Sequence, residues 1–142
     1  MKIYFGLLIV LLLSNCKVGN VEDQPDCTNI ACTMEYRTIT VNVKDKDGGA
    51  VALDRFTVVV LPKETDITPD LTDNEMGLMR KNGVYPLFSD RYSNTYKNKQ
   101  IEINFKGYIG GKQVLDANYT VGADCCHVFL LDGETNLIVG DL

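Results

Sequence analysis

Five cysteines and a single histidine hold most of the reactive chemistry of this 142-residue chain. Cys16 follows an apolar run, and the other four fall in two pairs, Cys27 with Cys32 and Cys125 with Cys126, the latter followed directly by His127. An even set of thiols behind an export leader reads as a disulfide framework in an oxidising compartment. Three pairings are open. Neighbours on a strand point to opposite faces, and a bond between Cys125 and Cys126 would close a strained ring. The expectation is that Cys27 and Cys32 bond to Cys125 and Cys126, which to which left open, tying the start of the domain to its penultimate strand. In that strand, expected over Cys126 to Leu131, Cys126 is in phase with Val128 and Leu130 toward the core, while Cys125 shares a face with His127. A bridge closing a loop of about 90 residues is worth about 4–5 kcal/mol on chain-entropy grounds.

Two sharper chemistries compete for the same residues. Four thiolates, or three with the imidazole of His127, form a donor set that suits Zn²⁺. Structural zinc sites use close cysteine knuckles, however, and Cys125-Cys126-His127 on a strand splits its ligands between two faces. A nucleophilic cysteine needs a base beside it, yet Cys125 and His127 on one strand face stand parallel and about 6–7 Å apart, too far for proton transfer. Neither a metal, a cofactor nor a catalytic group is therefore assigned, and a metal-binding or thiol-redox role for Cys125, Cys126 and His127 stands as the alternative.

Other polar groupings are weaker. Asp45-Lys46-Asp47-Gly48 begins like a calcium loop, but Phe56 stands where the bidentate acid belongs, so a turn is the better reading. Asn118-Tyr119-Thr120 matches an N-glycosylation sequon, a pattern discounted in view of the leader read below. Between Tyr85 and Tyr96, the rings of Tyr85, Tyr92 and Tyr96 alternate with Asp90, Arg91 and Asn94. Aromatic faces flanked by amide and charged groups suit contact with a carbohydrate or a protein, which makes these six residues the candidate binding surface.

The elements that must position these residues are strands. Ile39, Val41 and Val43 alternate with Thr38, Thr40, Asn42 and Lys44, and Asp47-Gly48-Gly49 supplies the positive-φ residues of a tight hairpin. Phe56 to Leu61 is apolar on both faces, the signature of a central strand that Pro62 ends. Ile101, Ile103 and Phe105 alternate with Glu102, Asn104 and Lys106, and Gly110-Gly111 turns that strand into Lys112 to Val121. A last hairpin joins Cys126–Leu131 to Thr135–Val139 across Asp132-Gly133. Three glycine turns in one short chain predict an all-β antiparallel sandwich. Thr72-Asp73-Asn74-Glu75 has capping-box spacing ahead of Met76, Leu78 and Met79, which suits either a helix of little more than two turns or a loop with a brief helical turn.

Ahead of the strands, residues 1–15 carry Lys2 and then an apolar run from Ile3 to Leu13. Eleven residues rising about 1.5 Å each cannot cross a hydrocarbon core about 30 Å thick, so the run is a signal-peptide core and not an anchor. Leu13-Ser14-Asn15-Cys16 resembles a bacterial lipobox, with Cys16 as the acylated residue. Residues 16–35 then form the lipidated cysteine and a polar tether, and 36–142 a single domain. No Asp follows Cys16, so the expected address is the outer membrane, lipid-anchored, with the facing side open. The formal net charge of −5 becomes one unit more negative once Lys2 leaves with the leader. Basic residues are scattered singly, which argues against nucleic acid as a partner.

Two resemblances add to this reading. ITVNVKDKDGGAVALDRFTVVV with GVYPLFSD resembles the first half of a carboxypeptidase-regulatory-like, or prealbumin-like, domain. VGADCCHVFLLDGETNLIV is similar to the end of small Bacteroidota lipoproteins of unknown function that carry an ADCCHV segment. What these imply is an immunoglobulin-like sandwich of seven or eight strands, with no catalytic residues to carry over. The expected function is that of a non-enzymatic envelope lipoprotein that binds another envelope protein or a glycan. A fimbrial or adhesin-type subunit is a further alternative.

Overall fold

The computed structural model describes residues 25–140. The leader, Cys16 and the first part of the tether lie outside the described residues.

Within them the chain is mostly β, with one short helix, and forms two open sheets that pack as a sandwich. The smaller sheet holds β1 (Thr38–Lys44), β4 (Val84–Ser89) and β8 (Asn136–Ile138), in the order β4-β1-β8. The larger holds β2 (Arg55–Val60), β3 (Thr65–Asp66), β5 (Lys99–Ile109), β6 (Lys112–Ala123) and β7 (Val128–Asp132), in the order β3-β2-β5-β6-β7. The alternation seen in the sequence sets the inner faces. Val41 and Val43 of β1, Tyr85 and Leu87 of β4, Phe56 and Val58 of β2, Ile103 and Phe105 of β5, and Tyr119 and Val121 of β6 meet in one buried cluster. Burying a side chain of this size stabilises by roughly 1.5–3 kcal/mol.

Three local expectations change once the sheets are in place. The turn after β1 forms, with the Asp45 carboxylate accepting from the backbone N–H groups of Asp47 and Gly49 at 2.9 and 2.7 Å. It does not make a β1–β2 hairpin. After the bridge from Lys44 to Ala50 the chain leaves the small sheet, and β2 pairs instead with β3 and β5. The turn residues dictate a local reversal, but the buried Val51 and Leu53 carry the chain across the core to the other sheet. The pair at the C-terminal end likewise divides between sheets. β7 pairs antiparallel with β6, whereas β8 pairs parallel with β1, so this sandwich is not wholly antiparallel. Gly133, at φ +120°, makes the crossing possible, because a Cβ there would stand 2.3 Å from the Tyr119 ring. The Tyr119 hydroxyl donates to Glu134 O at 2.8 Å and pins the crossing from below. Burial of that ring, with the Glu134 carboxylate nearby, pushes its phenol up to about 12. Only the β5–β6 hairpin across Gly110-Gly111 forms as the sequence suggests.

The capping box closes a real helix, α1 (Asp73–Asn82). The Thr72 hydroxyl accepts from Glu75 N–H while the Glu75 carboxylate accepts from Thr72 N–H, and Gly83 ends the helix in the left-handed region. Met76 and Met79 pack against the core cluster, and Arg80 donates to the carbonyls of Leu53 and Asp54 at 3.0 and 2.8 Å. The helix thus braces the segment that crosses from β1 to β2.

Tyr85 holds the same crossing from inside. Its buried hydroxyl accepts from Leu53 N–H at 2.7 Å and donates to Val51 O at 2.9 Å. Tyr85→Phe leaves both groups unpaired without disturbing the ring, and we expect denaturant unfolding to show a loss of about 1–3 kcal/mol.

Candidate functional site

The four cysteines pair as Cys27–Cys125 and Cys32–Cys126, with Cα–Cα separations of 5.4 Å in each. The expected groups of two are therefore joined, and the open choice between them is settled. Cys125 and Cys126 do not lie on a strand. They occupy a bend between β6 and β7, and β7 begins only at Val128. The bend turns the two sulfurs toward one segment, residues 25–37, which is why adjacent residues can both reach it. Bonded to one another, the sulfurs present no thiolate in this state, and among the described residues no group of three or more His, Cys, Asp or Glu side chains is arranged to hold a metal.

Around the bridges lies a second, polar fastening. Asp90 follows β4 in a short 3-10 turn, and its side chain is 9% exposed, against 10% for His127. The Oδ2 atom accepts from His127 Nδ1 at 2.7 Å and from Arg37 N–H at 2.8 Å, and Oδ1 accepts from Val128 N–H at 2.8 Å. The far ring nitrogen, His127 Nε2, meets Thr33 Oγ1 at 2.8 Å. Asp124 shapes the bend itself, its Oδ1 accepting from Cys126 and His127 N–H at 2.7 and 2.8 Å, which lowers its carboxyl below the usual range. Burial on its own would raise Asp90, but the hydrogen bonds from His127, Arg37 and Val128 outweigh it and the net direction is downward.

Thr33, His127 and Asp90 stand in the hydroxyl–imidazole–carboxylate order of a nucleophilic triad, where the carboxylate orients the ring. Here that carboxylate also takes two main-chain donors, one from the N-terminal segment and one from β7. The arrangement keeps the Asp90 carboxylate largely out of solvent and fastens three stretches of chain through it. Sequence spacing could not reveal it, since Asp90 and His127 are 37 residues apart and Thr33 a further stretch away.

The six residues of the expected binding surface separate. Tyr85 is wholly buried and Asp90 belongs to the fastening. Tyr92 stacks on Phe88 with ring centroids 5.5 Å apart and donates to Ile67 O at 3.1 Å, and Tyr96 tilts against Phe88 at 5.9 Å. These rings extend the core. Arg91 and Asn94 remain exposed. Arg91 and Tyr92 do border a half-open cleft of about 360 Å³ between the outer edge of β4, the segment after β3 and helix α1. Buried Ile67, Leu87 and Phe88 line its depth, and exposed Tyr36, Asp70 and Arg91 stand at its mouth. That size falls in the range of small ligand pockets, about 300–1,000 Å³.

Each bridge closes a long loop, with sequence separations of 98 and 94. Whichever is kept already closes that loop, so its neighbour closes only a ring of a few residues. Removing one bridge as a pair, C27S/C125S or C32S/C126S, should cost about 2–3 kcal/mol, and removing the second about 4–5 kcal/mol more, a non-additive pattern that denaturant titration would reveal. Asp90 adds stability that is complete above the ordinary carboxyl value of 3.8 and is lost as pH falls below it. Asp90→Asn should lower stability at neutral pH by about 3 kcal/mol and show a smaller fall below that value than the parent chain.

Compared with protein-family models, with curated proteins and with solved structures, the chain matches none, so its geometry is the basis on which a function is argued.

Proposed function

We propose that the chain is an exported, lipid-anchored binding module of the bacterial outer membrane, a non-enzymatic immunoglobulin-like or prealbumin-like sandwich that meets its partner through the β4–α1 cleft. The observation that carries the binding reading is the cleft itself. An apolar depth with a tyrosine, a carboxylate and a guanidinium at the mouth offers contact area together with orienting polar groups, the usual composition of a recognition site. Another envelope protein or a glycan fits that chemistry. Pro86 and the register shift opposite Ile39 and Thr40 blunt the edge of β4 for main-chain pairing, so recognition at the cleft falls to side chains.

The address rests on the leader and the Leu13-Ser14-Asn15-Cys16 sequence, and two bridges closed by an exported chain agree with it. Cys27, the first bridged cysteine, follows Cys16 by eleven residues, which span at most about 40 Å when fully extended, enough to hold the domain close to the bilayer surface without burying it.

One set of cells expressing the chain, C16S and L71W tests both parts. The parent should incorporate labelled palmitate and bind saturably to envelope fragments stripped of it. C16S should lose the label and leave the membrane fraction. Leu71 lines the cleft, so L71W fills it and should keep both label and bridges but bind the fragments about tenfold more weakly. A parent chain without fatty acid would overturn the anchor, and unchanged binding by L71W would overturn the cleft.

A further inference from the structure

Of the three side chains that meet in the polar fastening, only Thr33 belongs to an exposed residue; His127 is 8% exposed and the Asp90 side chain 9%. The proton positions follow from the acceptors. Both oxygens of Asp90 accept, Oδ2 from His127 Nδ1 and Arg37 N–H and Oδ1 from Val128 N–H, so Nδ1 carries the hydrogen of the neutral ring. Nε2 then offers its lone pair, and the Thr33 hydroxyl donates to it at 2.8 Å. A buried base therefore faces one hydroxyl that solvent can reach, with its tautomer set from behind, and that arrangement activates a hydroxyl otherwise too weak to attack.

The Cys32–Cys126 bridge holds the pair together. Its Cα atoms are 5.4 Å apart, and Thr33 and His127 are the next residues along the two joined segments. Asp124 fixes the second segment by accepting from His127 N–H at 2.8 Å. Hydroxyl and imidazole are thus positioned before any reactant arrives. Ile30 and Met34, exposed to 49 and 104%, lie three residues before Thr33 and one after it. Apolar side chains in the same short segment suit contact with an aliphatic chain.

We propose that Thr33 is an acyl-accepting nucleophile, activated by His127 toward carboxylic esters of aliphatic acids. Thr33 Oγ1 attacks the acyl carbon while its proton passes to His127 Nε2. The bond from that carbon to the leaving alkoxide breaks, and the alkoxide takes the proton from Nε2. The products are an ester on Thr33 and a free alcohol, with the ring neutral again. Asp90 is a positioning residue, holding the imidazole by Nδ1. Because Thr33 is exposed, the oxyanion formed on the way faces water and not a dry cradle of donors, so the reaction is a slow single transfer. The chain remains a binding module, one that carries an acyl group. Neither Thr33, His127 nor Asp90 lines the β4–α1 cleft, so this chemistry and partner recognition stand or fall separately.

The test treats the full chain, both bridges closed, with p-nitrophenyl hexanoate and maps the hexanoyl groups by peptide mass spectrometry. Thr65, an exposed threonine on β3, serves as the comparison inside the same molecules. Thr33 should be acylated at least about a hundredfold faster than Thr65, the gain that a positioned general base supplies. His127→Gln, whose amide can still donate to Asp90, should bring position 33 down to the rate of Thr65. Intact mass with both bridges closed shows whether that variant is folded, and the comparison with Thr65 in the parent chain needs no variant. Equal acylation of Thr33 and Thr65 in the parent, or a folded H127Q chain that acylates Thr33 as fast as the parent, overturns the proposal.

Discussion

A single buried carboxylate organises the end of the molecule where the chain enters the sandwich. Taking a charge out of water costs several kcal/mol unless hydrogen bonds and an opposite charge replace what water supplied. Asp90 meets that demand by gathering donors from three places: Arg37 ahead of β1, His127 in the bend after β6, and Val128 at the start of β7. Two of those places belong to different sheets. The need to satisfy one carboxylate thus aligns the smaller sheet with the larger, and the two disulfides lock an arrangement that the polar contacts already specify.

Much of the architecture could be read from side-chain period, and the failures have a common cause. Period-two patterning located β1 and β5, a run apolar on both faces located β2, the Gly110-Gly111 turn located β6, and the capping box marked the start of α1, because these signals depend on neighbours a few residues apart. Turn residues were less informative. Asp47-Gly48-Gly49 and Asp132-Gly133 do reverse or bend the chain, but whether the next strand rejoins the same sheet is decided by where Val51, Leu53 and Val139 find room in the core. Cysteine arithmetic placed the bridges between the right groups, yet the pairing within them depends on the bend that Asp124 imposes through the N–H groups of Cys126 and His127.

The candidate site was the least legible. Tyr85 and Asp90 look like surface residues because polar neighbours surround them in the sequence. Their partners are Leu53, Val51, His127 and Arg37, all more than 30 residues away. The cleft is a product of assembly in the same sense. It draws Tyr36 from the entry segment, Asp70 from the stretch after β3 and Arg91 from the turn after β4, and no short motif contains all three. What tied the sequence to a binding role was composition: aromatic and charged residues crowded into one stretch, part of which does border the cleft.

The two bridges also change what a cut in the backbone can do. Because Cys27 and Cys32 are joined to Cys125 and Cys126, the polypeptide between them is a covalent ring that contains the helix and six of the eight strands. A protease that opens one loop inside the ring, at Asp45 to Gly49 or at Gly110-Gly111, yields a nicked molecule still in one piece, with its sheets paired and its entry segment attached. A single scission inside the ring is then damage that the fold can outlive, because no fragment within it is free to diffuse away.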